Sequence, residues 1–263
     1  MINNIEASKI HLKESIGGWS IECVDEIAST NTELLSRAKS GRILQNTLLQ
    51  ADTQTSGRGT HGRCWYCVAE SLTFSLAVPT TKNAQDWVGF SIVVGRHIVQ
   101  ALRDNAIAAK LKWPNDITVD EKKLAGILIE SVKAPNGQLI LVIGIGINLR
   151  RGNTRIHTDY DWIALDETAT TETDKAFWLT RLSNAVIDSL LEFDSCGIEQ
   201  TRADWDKISL YENGCPVNVS LDNGEVFQAT VLGLGALGQL VLKQGHQIRS
   251  VINARVRKLG ATK

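Results

Sequence analysis

This chain of 263 residues shows no excess of positive charge. Its 28 lysines and arginines face 29 aspartates and glutamates. A nucleic-acid-binding surface carries a basic excess or stripe, so DNA is not an expected partner. No apolar run approaches the ~20 residues of a membrane helix. Met1-Ile2-Asn3-Asn4-Ile5-Glu6 lacks the basic-then-apolar order of a signal peptide. The expectation is a cytoplasmic protein with no membrane partner. Cysteine is sparse as well: five residues, at 23, 64, 67, 196 and 215, an odd number and mostly scattered. Cys64-Trp65-Tyr66-Cys67 has the C-x-x-C form, but no second such pair or nearby histidine pair completes a tetrahedral metal site. It reads as loop leading into a strand. Histidines 11, 61, 97, 157 and 246 show no ligand spacing and read as structural or surface residues.

What is present divides the chain in two. Residues 20–24 alternate like a short strand, and Ser29-Thr30-Asn31 offers caps for a short helix that Gly41 ends. Residues 47–51 read as a buried strand and residues 71–78, with period two, as a half-buried one. Trp87, Val88, Ser91, Val94, Ile98 and Leu102 recur at helical spacing over 84–104. Short strands are expected at 111–113 and 117–119. Longer ones follow at 125–132 and 139–147, joined by Asn136-Gly137, a strong hairpin signal. Helices are expected over 174–194 and 198–207. Beyond residue 210 the texture changes to short strands at 216–221, 226–232, 240–242 and 248–252, separated by glycine turns. The prediction is an α+β fold: a mixed, largely antiparallel sheet with helices over 1–208, then a small β-barrel over 209–263.

The chemistry concentrates in two stretches. Ser56-Gly57-Arg58-Gly59-Thr60-His61-Gly62-Arg63 is a glycine loop with two arginines. Glycine lets backbone approach closely, and arginine offers a fixed fork for carboxylate or phosphate. Lys112-Trp113-Pro114-Asn115-Asp116, then Lys123-Leu124-Ala125-Gly126, adds lysines and a carboxylate. Joining a carboxylate to a nucleotide needs cations where two anions meet, a polar group for Mg²⁺ or the phosphates, an apolar slot and a lid that excludes water. Arg58, Arg63, Lys112 and Lys123 are the candidate cations, Asn115 and Asp116 the polar holders, and residues 56–63 the lid. Each piece alone has a plain reading as surface loop, solvated lysine or turn. Gly144-Ile145-Gly146-Ile147-Asn148, likewise, reads as a strand with glycines for close packing.

In combination and order, however, the pieces resemble the biotin protein ligases (biotin–[acetyl-CoA-carboxylase] ligases). The resemblance rests on Ser29-Thr30-Asn31, Gln54 with Gly57-Arg58-Gly59, Trp65, Lys112 to Asp116, Lys123 to Leu128 and Gly144 to Leu149, and spans about residues 22–258. It implies an ATP-dependent ligase that makes biotinoyl-5′-AMP, releases pyrophosphate and passes biotin to one lysine of the biotin carboxyl carrier protein of acetyl-CoA carboxylase. It implies biotin contacts from Ser29, Thr30, Asn31, Gln54, Arg58, Gly59, Thr60 and Lys123. Nucleotide contacts would come from Arg63, Trp65, Lys112, Asn115, Asn148 and Trp162, with catalytic roles for Lys123, Arg58 and Asp116. ATP and Mg²⁺ are the implied cofactors, with Asp116 as the metal contact. The C-terminal part would be an SH3-like domain, and a homodimer is possible. About twenty residues before the first strand are too few for the DNA-binding winged helix of some members.

Three positions depart from the family pattern. Thr60 stands where many members have arginine, Cys67 where serine is common, and Ile252-Asn253-Ala254 where Gly-Glu often appears. Two other readings stay open: a lipoate or octanoate ligase of the same fold, and a ligase-like biotin-binding protein with little turnover.

Overall fold

The computed structural model describes residues 6, 10–65, 70–152, 160–170 and 172–260. Cys67, His157 and the side chain of His61 lie outside the described part. Strands β1 (Trp19–Ile27) and β2 (Asn46–Gln54) run parallel. Parallel neighbours need a crossover, and helix α1 (Thr30–Lys39) supplies it. Ser29 caps α1 by accepting the Thr32 N–H, Glu33 sits in the first turn, and Arg37 and Lys39 in the last, all favourable to the helix dipole. Five further strands follow: β3 (Glu70–Thr80), β4 (Lys110–Lys112), β5 (Asp116–Val119), β6 (Lys122–Lys133) and β7 (Leu139–Arg150). The sheet order is β1-β2-β3-β7-β6-β5-β4, antiparallel at every pair after the first. The β6–β7 turn has Gly137 at φ +85°, the left-handed conformation the Asn-Gly signal anticipates.

Strand β3 corrects one expectation. Its alternation predicts a half-buried strand, yet residues 71–78 are all buried. Leu72, Phe74, Leu76 and Val78 join a large core with helices α2 (Phe90–Arg103) and α3 (Lys175–Cys196). The other face carries Thr73 and Ser75, beside α1. Small polar residues there face a pocket rather than bulk water.

A second device fixes the site. Ile117 pairs with Ala125, but Thr118 pairs with Lys123, so Leu124 is an extra residue in β6. Such a bulge reverses the alternation of side chains. Leu124 and Ala125 are therefore both fully buried in the core, while Lys123 shares the face of Gly126. The displaced backbone pairs instead with the segment after β7: Lys123 N–H donates to Asp161 O, and Ile163 N–H to Lys123 O.

The expected helix over 84–104 is split. A 3-10 turn covers Ala84–Trp87, and Gly89, at φ +85°, separates it from α2. A side chain at Gly89 would press on Leu237 O at 3.0 Å. The helix expected over 198–207 is also two pieces, α4 (Glu199–Ala203) and α5 (Trp205–Ile208). They break at Asp204, whose carboxylate Arg96 holds. Strands β8 (Pro216–Ser220), β9 (Val226–Leu234), β10 (Leu240–Gln244), β11 (Gln247–Val251) and β12 (Arg255–Lys258) form a second, antiparallel sheet in the order β11-β10-β9-β8-β12. Strand β12 escapes sequence reading because three of its four residues are basic. Trp113 Nε1 donates to Gly238 O, tying the two sheets together near the site. Among the described residues no helix is long and apolar enough to cross a membrane.

Candidate active site

On the α1 face of the large sheet lies a cleft that opens to solvent. Its floor exists because glycines stand where side chains would fill it. Gly126 and Gly146 are cross-strand partners, and Gly144 lies two residues from Gly146 on the same face. A Cβ on Gly144 would overlap Asn31 Oδ1, and one on Gly146 would meet the Trp65 ring at 2.5 Å. Beyond Gly144 the same face of β7 carries Val142 and Ile140, which pack against Leu34 and Ala38 of α1. The glycines mark where that apolar packing stops and the cleft begins.

Ser29, Thr30 and Asn31 form one wall, each only 3% exposed. With Ser29 serving as the cap, the next two side chains are released toward the cleft. Thr30 N–H donates to Gln54 Oε1 at 2.7 Å, and Asn31 Nδ2 to Glu130 Oε2 at 3.1 Å. The wall is polar, shaped and partnered, suited to a neutral group with donors and acceptors.

The glycine loop is a small ribbon. Gly59 N–H donates to Arg63 O at 2.7 Å and Trp65 N–H to Gly57 O at 2.9 Å, around a 3-10 turn at Thr60–Gly62. It lays Trp65 over Gly126 and Gly146. The Trp65 indole N–H is buried without a hydrogen-bond partner among the described residues. Arg58 forks onto Glu130 at 2.8 and 3.1 Å. Arg63 folds back on Thr60, donating to its carbonyl and its hydroxyl at 3.2 Å. The departure at Thr60 thus gives Arg63 a side-chain acceptor where an arginine side chain would offer none.

Lys123 Nζ stands 2.7 Å from Asp116 and lies over two rings, 5.5 Å from the Trp65 centroid and 5.1 Å from that of Tyr160. The cleft thus has a polar wall at α1, an aromatic lid over a glycine floor, and cations along its rim. An elongated molecule with a neutral polar head and an anionic end fits these features.

The cleft gathers Ser29, Thr30, Asn31, Gln54, Arg58, Gly59, Thr60, Arg63, Trp65, Asn115 and Lys123 of the sequence-predicted residues. Four stand behind this lining. Asp116 is the partner of Lys123. Asn148 donates to Ile163 O and anchors the segment that holds Lys123. Trp162 is buried beneath Arg151, whose guanidinium lies 4.1 Å from the ring centroid. Lys112 is half-buried, and burial pushes its ammonium below the ordinary lysine range, against the pull of Asp116. Asn115, within the lining, is committed to β6, with its side-chain amide donating to Ile127 O at 2.8 Å. Sequence reading missed Ser75, Glu130 and Tyr160. Counting by twos from Gly126 along β6 reaches Glu130, and the polar face of β3 announces Ser75. Tyr160 carried no signal.

Residues 24–148 match the model of the biotin/lipoate A/B protein ligase family. The chain is 28% identical over 261 residues to the bifunctional ligase/repressor BirA of Escherichia coli, covering 97% of this chain and 79% of that one. It is 29% identical over 235 residues to the biotin–[acetyl-CoA-carboxylase] ligase of Mycobacterium tuberculosis, covering 87% and 85%. Among solved structures, the biotin protein ligase of Aquifex aeolicus in complex with biotin and ATP superposes with a TM-score of 0.76 at 24% identity, covering 91% of this chain and 99% of that one. That likeness establishes the fold. Residues 24–148 thus carry a biotin/lipoate A/B protein ligase family domain, and the chain is similar over most of its length to biotin protein ligases.

Proposed function

We propose that the protein activates biotin with ATP and transfers it to a lysine of a biotin carboxyl carrier protein. The observation that carries this reading is one cleft with a neutral polar wall at Ser29, Thr30 and Asn31 and cations at Arg58, Arg63 and Lys123. The named activities of the Escherichia coli and Mycobacterium tuberculosis relatives support it. So does the pair of ligands in the Aquifex aeolicus complex.

The wall would take the ureido ring, which needs both donors and acceptors. Trp65, packed on the glycine floor, would close one side of the apolar part of biotin and exclude water. The biotin carboxylate then attacks the α-phosphorus of ATP and pyrophosphate leaves. Two anions approach in that step, and the Lys123 ammonium offsets the charge that builds up between them. Arg63 and Lys112 would serve the phosphates. In the second step the carrier's lysine, as the neutral amine, attacks the acyl carbon, AMP leaves with the electrons of the C–O bond, and one amine proton is lost to solvent.

Mg²⁺ fits here only as an ion borne by the nucleotide. Asp116 offers a single carboxylate, already paired with Lys123. Among the described residues no three His, Cys, Asp or Glu gather into a cage. Magnesium is commonly held by one or two carboxylates together with substrate phosphates. It would add positive charge to the phosphates, with Asp116 as its protein contact. Reaction in the cytoplasm, where ATP and carrier proteins meet, completes the reading.

The test is ATP–pyrophosphate exchange with biotin, lipoate and octanoate supplied in turn, followed by biotin transfer to a carrier protein. Exchange with biotin alone is the expected result. Exchange with lipoate or octanoate instead would move the protein within its family. Biotin binding without exchange would leave it a binding protein.

A further inference from the structure

A hydrogen-bond chain crosses the cleft floor from Gln54 to Arg58. Gln54 Oε1 accepts the Thr30 N–H at 2.7 Å. Thr30 Oγ1 and Ser75 Oγ are 2.7 Å apart. Ser75 Oγ donates to Asn31 Oδ1 at 2.6 Å. Asn31 Nδ2 donates to Glu130 Oε2, and Arg58 binds both oxygens of Glu130.

The direction of the chain follows from counting protons. A hydroxyl has one to give. Ser75 gives its proton to Asn31 at the shorter distance, so Thr30 must give its own to Ser75. The 3.2 Å contact from Thr30 Oγ1 to Gln54 Oε1 is the one given up, since that oxygen already holds the Thr30 N–H. The carboxamide of Asn31 then has one permissible orientation. Its NH₂ faces Glu130 and Leu128 O, and a flipped amide would turn an oxygen toward both acceptors.

Glu130 is the element that closes this chain. It lies on the same face of β6 as Gly126, just beyond the cleft lining, because it shares that residue's parity. Its side chain is 25% exposed and that of Arg58 43% exposed. Pairs this open to water contribute little to folding. A fork held so lightly is easily released to another anion.

Resting on the proposed function above, we propose that Glu130 is a positioning residue: it fixes the Asn31 carboxamide and the Arg58 fork together. It thereby makes recognition at the polar wall depend on the state of the glycine ribbon. A ligand anion that draws Arg58 away leaves Asn31 as the remaining hydrogen-bond partner of Glu130 among the described residues. A ligand on Asn31 loosens Glu130 for the same exchange. The two ends of the site are coupled through one carboxylate.

The test uses the full chain. Glu130→Gln retains an acceptor for Asn31 but sets an NH₂ against the guanidinium of Arg58. We expect the KM for biotin in ATP–pyrophosphate exchange to rise about ten-fold, with kcat changed less and the melting temperature unchanged. A double-mutant cycle then pairs Asn31→Ala with Glu130→Ala, read by calorimetry with biotin. Coupling appears as a double variant that loses clearly less affinity than the sum of the single losses. Wild-type kinetics in Glu130→Gln, or strict additivity in the cycle, overturns the role. A lowered melting temperature with unchanged biotin affinity overturns it too, because the residue would then be structural. If the wild-type chain shows no exchange with biotin, the proposed function falls and this role with it. If wild type and Glu130→Gln exchange alike, only the role falls.

Discussion

Two groups of charges in this protein look alike and do different work. In the cleft, Lys123 pairs with Asp116 at 2.7 Å, with side chains 19% and 24% exposed. Across the sheet, among α2, α3 and the α4–α5 break, Arg96 pairs with Glu192 at 2.8 Å and Asp204 at 3.0 Å, and His97 meets Glu192 at 3.0 Å. Those side chains are 17–20% exposed. Neither burial nor pair distance separates the two groups. The space beside them does. Arg96 spends three donors on two carboxylates and is closed in by helices. Lys123 sits above a floor of glycine with an opening at its side. A paired charge becomes a site when the fold leaves room for a second anion to compete for it.

The largest expected effect is at the open group. Lys123→Ala should slow biotinoyl-AMP formation from biotin and ATP by about 10²–10³-fold, the usual cost of removing a group that stabilises developing charge. Its melting temperature should hold, since the lysine is not packed in the core. An unchanged rate would erase the distinction between the two groups.

Next is the floor itself. Gly144→Ala puts a methyl group onto Asn31 Oδ1 and breaks a buried hydrogen-bond partner. A loss of about 1.5–3 kcal/mol corresponds to biotin affinity weaker by roughly 10–150-fold, read by calorimetry. Gly18→Ala is the control: Gly18 lies outside the cleft lining, and a Cβ there would meet nothing within 4 Å. It should bind biotin as the wild type does. Equal losses in both variants would mean that the close approach of Gly144 to Asn31 is not what matters.

A smaller effect is expected at the ribbon. Thr60→Arg adds a charge-assisted donor near the adenylate, but it also removes an acceptor from Arg63. Release of biotinoyl-AMP, followed without carrier, should slow by less than about ten-fold. Faster release would show that Arg63 on Thr60 is the better arrangement.

The smallest effect lies in the closed group. A hydrogen bond from Gln200, with help from Lys207 and Arg96, holds the Asp204 carboxyl down at about 2, against the opposing effect of burial. A carboxyl depressed in the folded state contributes stability above its ordinary value, and that stability is lost as the pH falls through about 2. Asp204→Asn should lower the melting temperature at neutral pH by roughly 2–4 °C. The difference should fade toward pH 2, and biotin-dependent exchange should not change. A change in exchange would show that the helices and the cleft are linked.

Sequence patterns conveyed the cations and glycines of the site, and the strands of the large sheet to within a few residues. They conveyed less wherever a residue's meaning depends on a neighbour across the sheet. Thr73 and Ser75 read as a wet face because alternation cannot distinguish water from a pocket. Glu130 passes unremarked within a strand, since its partners lie 72 and 99 positions away in the chain. The breaks at Gly89 and Asp204 are set by Leu237 and Arg96, far off in sequence. Asn148 and Trp162, nucleotide contacts by the resemblance, also steady the segment behind Lys123, a role no sequence pattern announces.

The extra residue at Leu124 has one more consequence. A strand offers each side chain only two directions, so a single miscount inverts every residue beyond it. Were β6 to slide by one, Lys123 would fall where Leu124 now lies, and an ammonium would enter a fully buried site with no partner. That cost is prohibitive for a charge that can stay in water. The lysine therefore polices the count that places it. Misregistered chains are rejected by the same side chain whose correct placement makes the site.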